Sequence, residues 1–402
     1  MTRAAARYAQ LAKAMSGERL PAAVVDLDAV DANLDRLIAP ARDAGKTIRV
    51  ATKSIRSVDL LRYLFERAPK VLSGLMCYSA AEIRYLFDAG FDDFLLAYPT
   101  VQPADLETLA TLGARTRLRV VVDHPTPVQL LAQAARRQGT EAALVIDVDA
   151  SWRPFGGRLH VGVRRSPIHT PTAALELADL IRDTAGVRLE GLLTYEAQVA
   201  GLGDRSPFSA LLNPAKGWLR RRSMRAVAKL RTQLAEAFAS AGHALPLFNG
   251  AGTGNLDWAA QEAPLTELTA GSGFLASHFF DYYSNLELEA ASFFALQITR
   301  RPTPRIVTCH GGGYVASGEA GPDRLPRPWL PEGLQLLSLE GAGEVQTPLA
   351  VPAGLKLELG APVFFRHAKT GELSEHFQSY VLIRGAERVG QARTYRGDGQ
   401  VF

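Results

Sequence analysis

Between residues 47 and 275, short apolar runs alternate with stretches of helical periodicity. The β-type runs are 48–53, 75–79, 93–97, 118–123, 143–149, 189–195, 247–252 and 267–271. Helical periodicity fills 58–65, 81–89, 127–137, 173–184 and 226–241, between most of them. Val120-Val121-Val122 and Leu144-Val145-Ile146 are apolar at every position, so neither face of those strands is built to meet water. Strands buried on both faces and separated by helices form a parallel sheet. Eight strand–helix units in about 230 residues is the count of a (β/α)8 TIM-like barrel, an α/β fold. The alternative is an open doubly wound sheet, which would gather a ligand at one switch point rather than within a ring of loops.

The texture changes after residue 284. Helical periodicity fades, and Pro302, Pro304, Pro322, Pro326, Pro328, Pro331, Pro348, Pro352 and Pro362 punctuate strand-like runs at 293–299, 355–359 and 380–383. That pattern predicts a separate β-domain. The expected division is a cofactor-binding barrel at 30–284 and a C-terminal β-domain at 285–402, joined by the N-terminal segment 1–29. Within that segment, 1–15 is Ala-rich and expected to dock as a helix, and 21–28 reads as a strand. A length of 402 residues suits two domains, and 47% hydrophobic with 21% charged content suits a globular chain.

No run reaches the length of a membrane span, and the start lacks the apolar core of a secretory signal, so a cytoplasmic protein is expected. Cys77 and Cys309 are too few for a disulfide framework and suit a reducing compartment. The charge is nearly balanced at +4, which gives no sign of a nucleic-acid partner. Arg220, Arg221, Arg222, Arg225 and Lys229 form one basic cluster, read as a solvated face or an anion contact.

On a barrel, chemistry belongs at the carboxyl ends of the strands, with phosphate held after the seventh and eighth. The first barrel strand ends in Val50-Ala51-Thr52-Lys53-Ser54. Lys53 is a poor core residue and a good Schiff-base nucleophile; a lysine capping a strand at the surface is the other reading. The seventh strand runs into Asn249-Gly250-Ala251-Gly252-Thr253-Gly254-Asn255 and the eighth into Ala270-Gly271-Ser272-Gly273. Without Cβ atoms in the way, backbone N–H groups can close round an anion. Gly252, Thr253, Gly254, Gly271 and Ser272 are the candidates. Tyr195 ends the sixth strand, where it can flank a ligand or simply pack. His160 lies in the segment after the fifth, facing a site or the surface.

This order of strand, helix and strand ending on a lysine resembles the pyridoxal-phosphate (PLP) enzymes of the alanine racemase type, fold-type III. Within them it is similar to the branch of D-threonine aldolases and D-serine dehydratases. The resemblance spans roughly residues 20–402, with both domains in family order. It implies that Lys53 holds PLP as a Schiff base and that the two glycine loops hold its phosphate. Relatives carry an Arg-x-Gly-Val run whose arginine approaches the pyridine nitrogen; His160 stands in that place here, implying a weaker electron sink than a carboxylate partner would give. The resemblance also implies a homodimer, the β-domain of one subunit completing the barrel site of the other.

The same branch carries a His-x-Cys or His-x-Asp pair that binds a divalent metal. The equivalent stretch is Pro362-Val363-Phe364-Phe365-Arg366-His367-Ala368-Lys369, where residues two apart on a strand would share a face. Its second ligand is replaced by Lys369, and the family's Glu-His-Gly is missing, with 340–346 standing nearest. The expectation is therefore no metal: the Lys369 ammonium stands where the cation stood, and His367 is free to act as a base. An exposed polar strand face is the other reading. Glu375 with His376, or Cys309 with His310, would chelate poorly, because adjacent strand residues point apart.

A base on the β-hydroxyl would give retro-aldol cleavage to glycine and an aldehyde. Proton removal at Cα, with an acid on the hydroxyl, would give dehydration and then a 2-oxo acid with ammonia. Two bases on opposite faces would give racemisation, for which Tyr314 or Tyr380 is available. The expected function is a PLP-dependent lyase of β-hydroxy D-amino acids, retro-aldol ahead of dehydration, acting on a small amino-acid substrate. A non-catalytic PLP carrier ranks last, because such carriers lack the second domain.

Overall fold

The computed structural model describes residues 2–402. After strand β1 (Ala22–Asp26) and the helix Leu27–Asp43 come eight strands in series. They are β2 (Thr47–Ala51), β3 (Leu72–Cys77), β4 (Asp93–Leu96), β5 (Arg117–Val122), β6 (Ala142–Asp147), β7 (Val187–Thr194), β8 (Leu247–Gly250) and β9 (Glu267–Ala270). All pair parallel, and β9 returns to β2, closing the barrel in sequence order. The expected strands are all present, but most end one to two residues earlier than the apolar runs suggest. Lys53, Asp123, Asp149 and Tyr195 thereby leave the ladder and stand at the barrel mouth.

Two helices depart from the sequence expectation. Pro103–Gly113 was not singled out, because the Ala, Thr and Gly on its outer side contrast weakly with the buried Leu106, Leu109, Ala110 and Leu112. The helix expected at 226–241 begins at Asn213, where Pro214 occupies the first turn that proline tolerates.

The floor of the barrel is polar. Arg49, fully buried, donates to both carboxylate oxygens of Glu267 at 2.7 and 2.9 Å and to Asp93 at 2.8 Å. Ser73 and Asn249 donate to the same glutamate. Glu267 and Asp93 open their strands, so this layer lies at the end of the barrel opposite the mouth, where side chains serve stability.

The second domain is built on β10 (Ser292–Thr303), β11 (Ile306–His310), β12 (Arg327–Leu330), β13 (Gln335–Leu336), β14 (Gln346–Ala350), β15 (Pro362–Arg366), β16 (Ser379–Arg384) and β17 (Glu387–Arg393). Its main path runs β13-β14-β11-β10-β1-β16-β17, and β15 bridges β10 and β12. β1 is antiparallel to β10 and parallel to β16, so an N-terminal strand lies inside this sheet. The helix Arg3–Ala14 docks on it through Leu11 and Ala14. The strand expected at 355–359 does not form: the segment pairs with no strand, Leu357 packs into the core with Leu355 half-buried against it, and Leu359 is exposed. Among the described residues no helix is long and apolar enough to cross a membrane.

One buried acid sits below the Lys53 turn. Glu82 accepts from Tyr78 N at 2.8 Å and the Tyr395 hydroxyl at 3.1 Å, and burial pushes its pKa up to about 7. Between its ordinary value near 4.5 and about 7 the native state therefore holds a proton that the unfolded chain has lost. Stability falls as pH rises through that window. Urea titrations at pH 4.5 and 7.5 should show the loss, and Glu82→Gln should reduce it; an unchanged slope in the variant would assign the effect elsewhere.

Candidate active site

β2 stops at Ala51, and Thr52–Ser54 turn as a single 3-10 step that carries Lys53 over the mouth. Its Nζ lies 2.7 Å from the Tyr98 hydroxyl, which follows β4. The second domain presses on this turn from above. Thr370 donates to Ser54 O at 3.1 Å, and a Cβ at Gly371 would lie 1.9 Å from Lys53 O, so only glycine fits there.

Beneath Lys53 opens a cavity of about 370 Å³, lined among others by Tyr98, Asp147, Tyr195, Thr253 and Ser272. Gly252 and Gly271 line it too, so the two glycine loops meet on the side next to β2. Close packing requires the glycines: a Cβ at Gly254 would fall 2.1 Å from Ala200 O, and one at Gly271 would fall 2.7 Å from Ala51 O. Ala251 holds a left-handed backbone (φ 71°), a strained state that its surroundings must enforce. Glu196 does so. It accepts from Ala251 N at 3.2 Å and Asn255 Nδ2 at 2.6 Å, and is itself paired at 2.6 Å with the fully buried Arg231.

Arg220 completes the support, donating to Gly254 O at 2.7 Å. Sequence reasoning read it as part of a solvated basic face or an anion contact. Its long side chain instead runs inward from the helix Asn213–Ser240, and nothing in the local charge pattern distinguishes it from Arg221 or Arg222.

Tyr195 lines the cavity, under the Arg165 guanidinium at 5.6 Å, and burial pushes its phenol up to about 12. His160 does not line it. Its Nε2 bonds to Val163 O at 3.0 Å within its own loop, which replaces the expected approach to the cofactor ring. Arg165, two residues beyond Val163, lines the cavity instead, as do Asp123 and Asp147. These carboxylates, like Tyr98, were missed, although each follows directly on an apolar strand as Lys53 does. Burial, with the Asp123 charge beside it, pushes Asp147 up to about 7.

A second cavity of about 380 Å³ lies between the barrel mouth and the β-domain. Lys53, Tyr195, Tyr283, Arg324, Lys369 and Glu372 are among the residues that line it. Here the paired-strand expectation fails. β15 ends at Arg366, so His367 and Lys369 sit in the turn beyond it and do not share a strand face. Lys369 reaches the cavity, its Nζ 2.7 Å from Ser317 Oγ and 3.2 Å from Glu372. His367 is wholly buried and lines neither cavity; its Nδ1 accepts from Lys369 N at 2.9 Å. Burial pulls its pKa down to about 4, so the imidazole is neutral. Among the described residues no three His, Cys, Asp or Glu side chains are grouped to hold a metal ion.

The profile of the alanine racemase N-terminal domain matches residues 25–272, a stretch that holds the mouth lysine and reaches both glycine loops. The chain belongs to that family. Among curated proteins it is similar to 3-hydroxy-D-aspartate aldolase of Paracoccus denitrificans (strain Pd 1222), 23% identical over 63% of this chain and 59% of that one. It is also similar to D-threo-3-hydroxyaspartate dehydratase of Delftia sp. (strain HT23), 27% identical over 62% of this chain and 60% of that one. The chain thus spans about three fifths of the length of these relatives. Among solved structures of this family's fold, D-threonine aldolase from Filomicrobium marinum superposes with a TM-score of 0.80 at 20% identity, covering 96% of each chain. The Delftia dehydratase gives 0.74 at 21% identity, over 95% of this chain and 98% of that one.

Proposed function

We propose that the chain is a PLP-dependent lyase of β-hydroxy amino acids, of the D configuration that the related aldolases and dehydratases take. The cofactor reading is supported by the fit of the cavity: one lysine amine at its rim and two loops whose glycines leave no room for Cβ atoms. Lys53 would hold the cofactor, and the loops at Gly252-Thr253-Gly254 and Gly271-Ser272 its phosphate. When bound, PLP supplies a sink for the electrons of the bond broken at Cα.

The observation that carries the choice of reaction is the pair Lys369–Glu372 in the upper cavity. Lys369 faces the substrate space with its Nζ donating to Ser317 Oγ and paired with Glu372, placed as a donor to a hydroxyl. Burial pushes Glu372 up, but two bonds from Ser317 and the Lys369 charge outweigh it and hold the carboxyl below its ordinary value, so it is a poor base. His367, the expected base for the hydroxyl, is buried behind Lys369 and serves its backbone. Lys53, held at 2.7 Å by the Tyr98 hydroxyl, would be the amine placed to take the proton from Cα. A base at Cα and an acid at the β-hydroxyl favour dehydration, releasing a 2-oxo acid and ammonia. Retro-aldol cleavage, put first from the sequence, becomes the second reading, because it needs a base where Lys369 stands.

Lys369 takes the place of the second metal ligand, so the reaction is proposed to need no divalent metal. A homodimer is part of the same reading. Product analysis by mass spectrometry after mixing PLP-loaded protein with D-threonine, with and without chelator, tests it. 2-Oxobutyrate and ammonia, undiminished by chelator, are expected; glycine and acetaldehyde would make it an aldolase. Lys369→Met should lower the rate by about 10²–10⁴-fold with cofactor capture unchanged; an unchanged rate would remove Lys369 from the chemistry.

A further inference from the structure

Resting on the PLP reading above, we propose that Asp147 is the partner of the cofactor's ring nitrogen and keeps it protonated. The argument begins with the circle of strands. β6, which ends in Asp147, lies four strands from β2 in either direction, so Asp147 stands across the mouth from Lys53. The phosphate loops follow β8 and β9, next to β2 on one side. In pyridoxal phosphate the carbonyl carbon sits on ring carbon 4, the phosphate arm on the adjacent carbon 5, and the nitrogen opposite carbon 4. A ring tethered through carbon 4 to Lys53, with its arm toward β8 and β9, therefore points its nitrogen toward β5 and β6.

Three carboxylates line the cavity on that side: Asp123, Asp147 and Asp149. Asp149 is already engaged, accepting from Ser151 N and pairing with Arg153. The Asp147 carboxylate accepts from no donor among the described residues, its backbone carbonyl alone being taken by Ser166 Oγ at 2.7 Å; its neighbours are the charges of Asp123, Asp149 and Arg165. A half-buried carboxylate that lines a cavity without a protein donor is open to a proton or a cation that a ligand brings. A pyridinium N–H supplies both, in one charge-assisted hydrogen bond. Burial and Asp123 raise the proton affinity of Asp147, which suits a group that must share a proton with a ring nitrogen. His160, the sequence candidate for this contact, is turned into its own loop. Arg165 lies over the Tyr195 ring, and its charge also faces Asp147. A carboxylate at this place gives a stronger electron sink than the arginine of relatives would.

The test is nitrogen-15 NMR of protein reconstituted with PLP labelled at the ring nitrogen, with borohydride reduction and peptide mapping as a parallel check on Lys53. A protonated nitrogen is expected in the wild type. It should become unprotonated in Asp147→Asn, stay protonated in Asp123→Asn, and return with Asp147→Glu. Cofactor affinity should fall about tenfold in Asp147→Asn. Failure of the label to attach to Lys53 would overturn the cofactor reading itself. Attachment with an unprotonated nitrogen in the wild type would overturn only the Asp147 assignment. The same holds for a nitrogen indifferent to Asp147→Asn, or one lost in Asp123→Asn. Should Asp147→Asn not fold, the wild-type spectrum still decides, since an unprotonated nitrogen there is incompatible with the proposal.

Discussion

Lys53→Ala will leave the protein folded, unable to capture PLP covalently, and slower by at least about 10³-fold. The side chain projects into both cavities, so its removal costs no core packing, and circular dichroism and the unfolding midpoint should match the wild type. On the proposed function the chemistry is lost twice over: as the tether that would position the cofactor and as the amine that would take a proton from Cα. Borohydride reduction followed by peptide mass spectrometry reads the tether directly. A phosphopyridoxyl adduct on 47–58 in the wild type and none in the variant is expected. An adduct that moves to Lys369, the other lysine facing the upper cavity, with activity kept, would sink the assignment.

Arg49→Met will have the opposite signature, a large loss of stability with the site chemistry intact. It strands the carboxylate of Glu267 in the barrel floor with only the neutral donors Ser73 and Asn249, while Asp93 keeps Arg119 at 3.1 Å. Breaking a buried pair by removing one partner costs about 3–5 kcal/mol, because the remaining charge is buried and uncompensated. Burial works against the Arg49 charge, but the two carboxylates outweigh it and hold its pKa above the ordinary arginine value, so the guanidinium is charged throughout the accessible pH range. Urea denaturation should show the midpoint fall with the slope unchanged. Below the new transition, PLP capture on Lys53 should persist, since the floor lies at the far end of the strands. A loss under about 1 kcal/mol would mean that water or a rearranged Asn249 takes over the role of the arginine.

The barrel was legible because its strands are buried on both faces and its helices on one, and those two burial states write different periods into the chain. Val120-Val121-Val122 needs no partner to be recognised as a central strand. Lys53 and the two glycine loops were legible for a related reason. Each breaks the local rule where a strand ends, putting a charge or a run of glycines where continuation would demand an apolar residue. Asp123 and Asp147 obey that same signal and were overlooked, since a carboxylate after a strand is equally an ordinary turn residue. The run 355–359 shows the converse error: apolar residues alternate there with polar ones, but an alternating pattern makes a strand only when an unpaired edge is within reach.

His367 and Lys369 mark the boundary most clearly. Sequence placed them two apart in a strand-like run; the chain leaves β15 after Arg366, buries the imidazole and sends the ammonium into the cavity. Which of two polar side chains reaches the cavity depends on where one sheet stops, a matter of pairing partners supplied by distant strands. By itself the sequence determined the class of fold, the mouth lysine and the glycine loops, because these follow from local periodicity and strand-end chemistry. Only the tertiary structure decided that Arg231 and Glu196 brace a strained loop, that Arg220 is inside and His160 outside, and that Asp147 stands across from Lys53. Closing eight strands into a ring sets residues nearly a hundred positions apart face to face, and no local pattern records which strand lies opposite which.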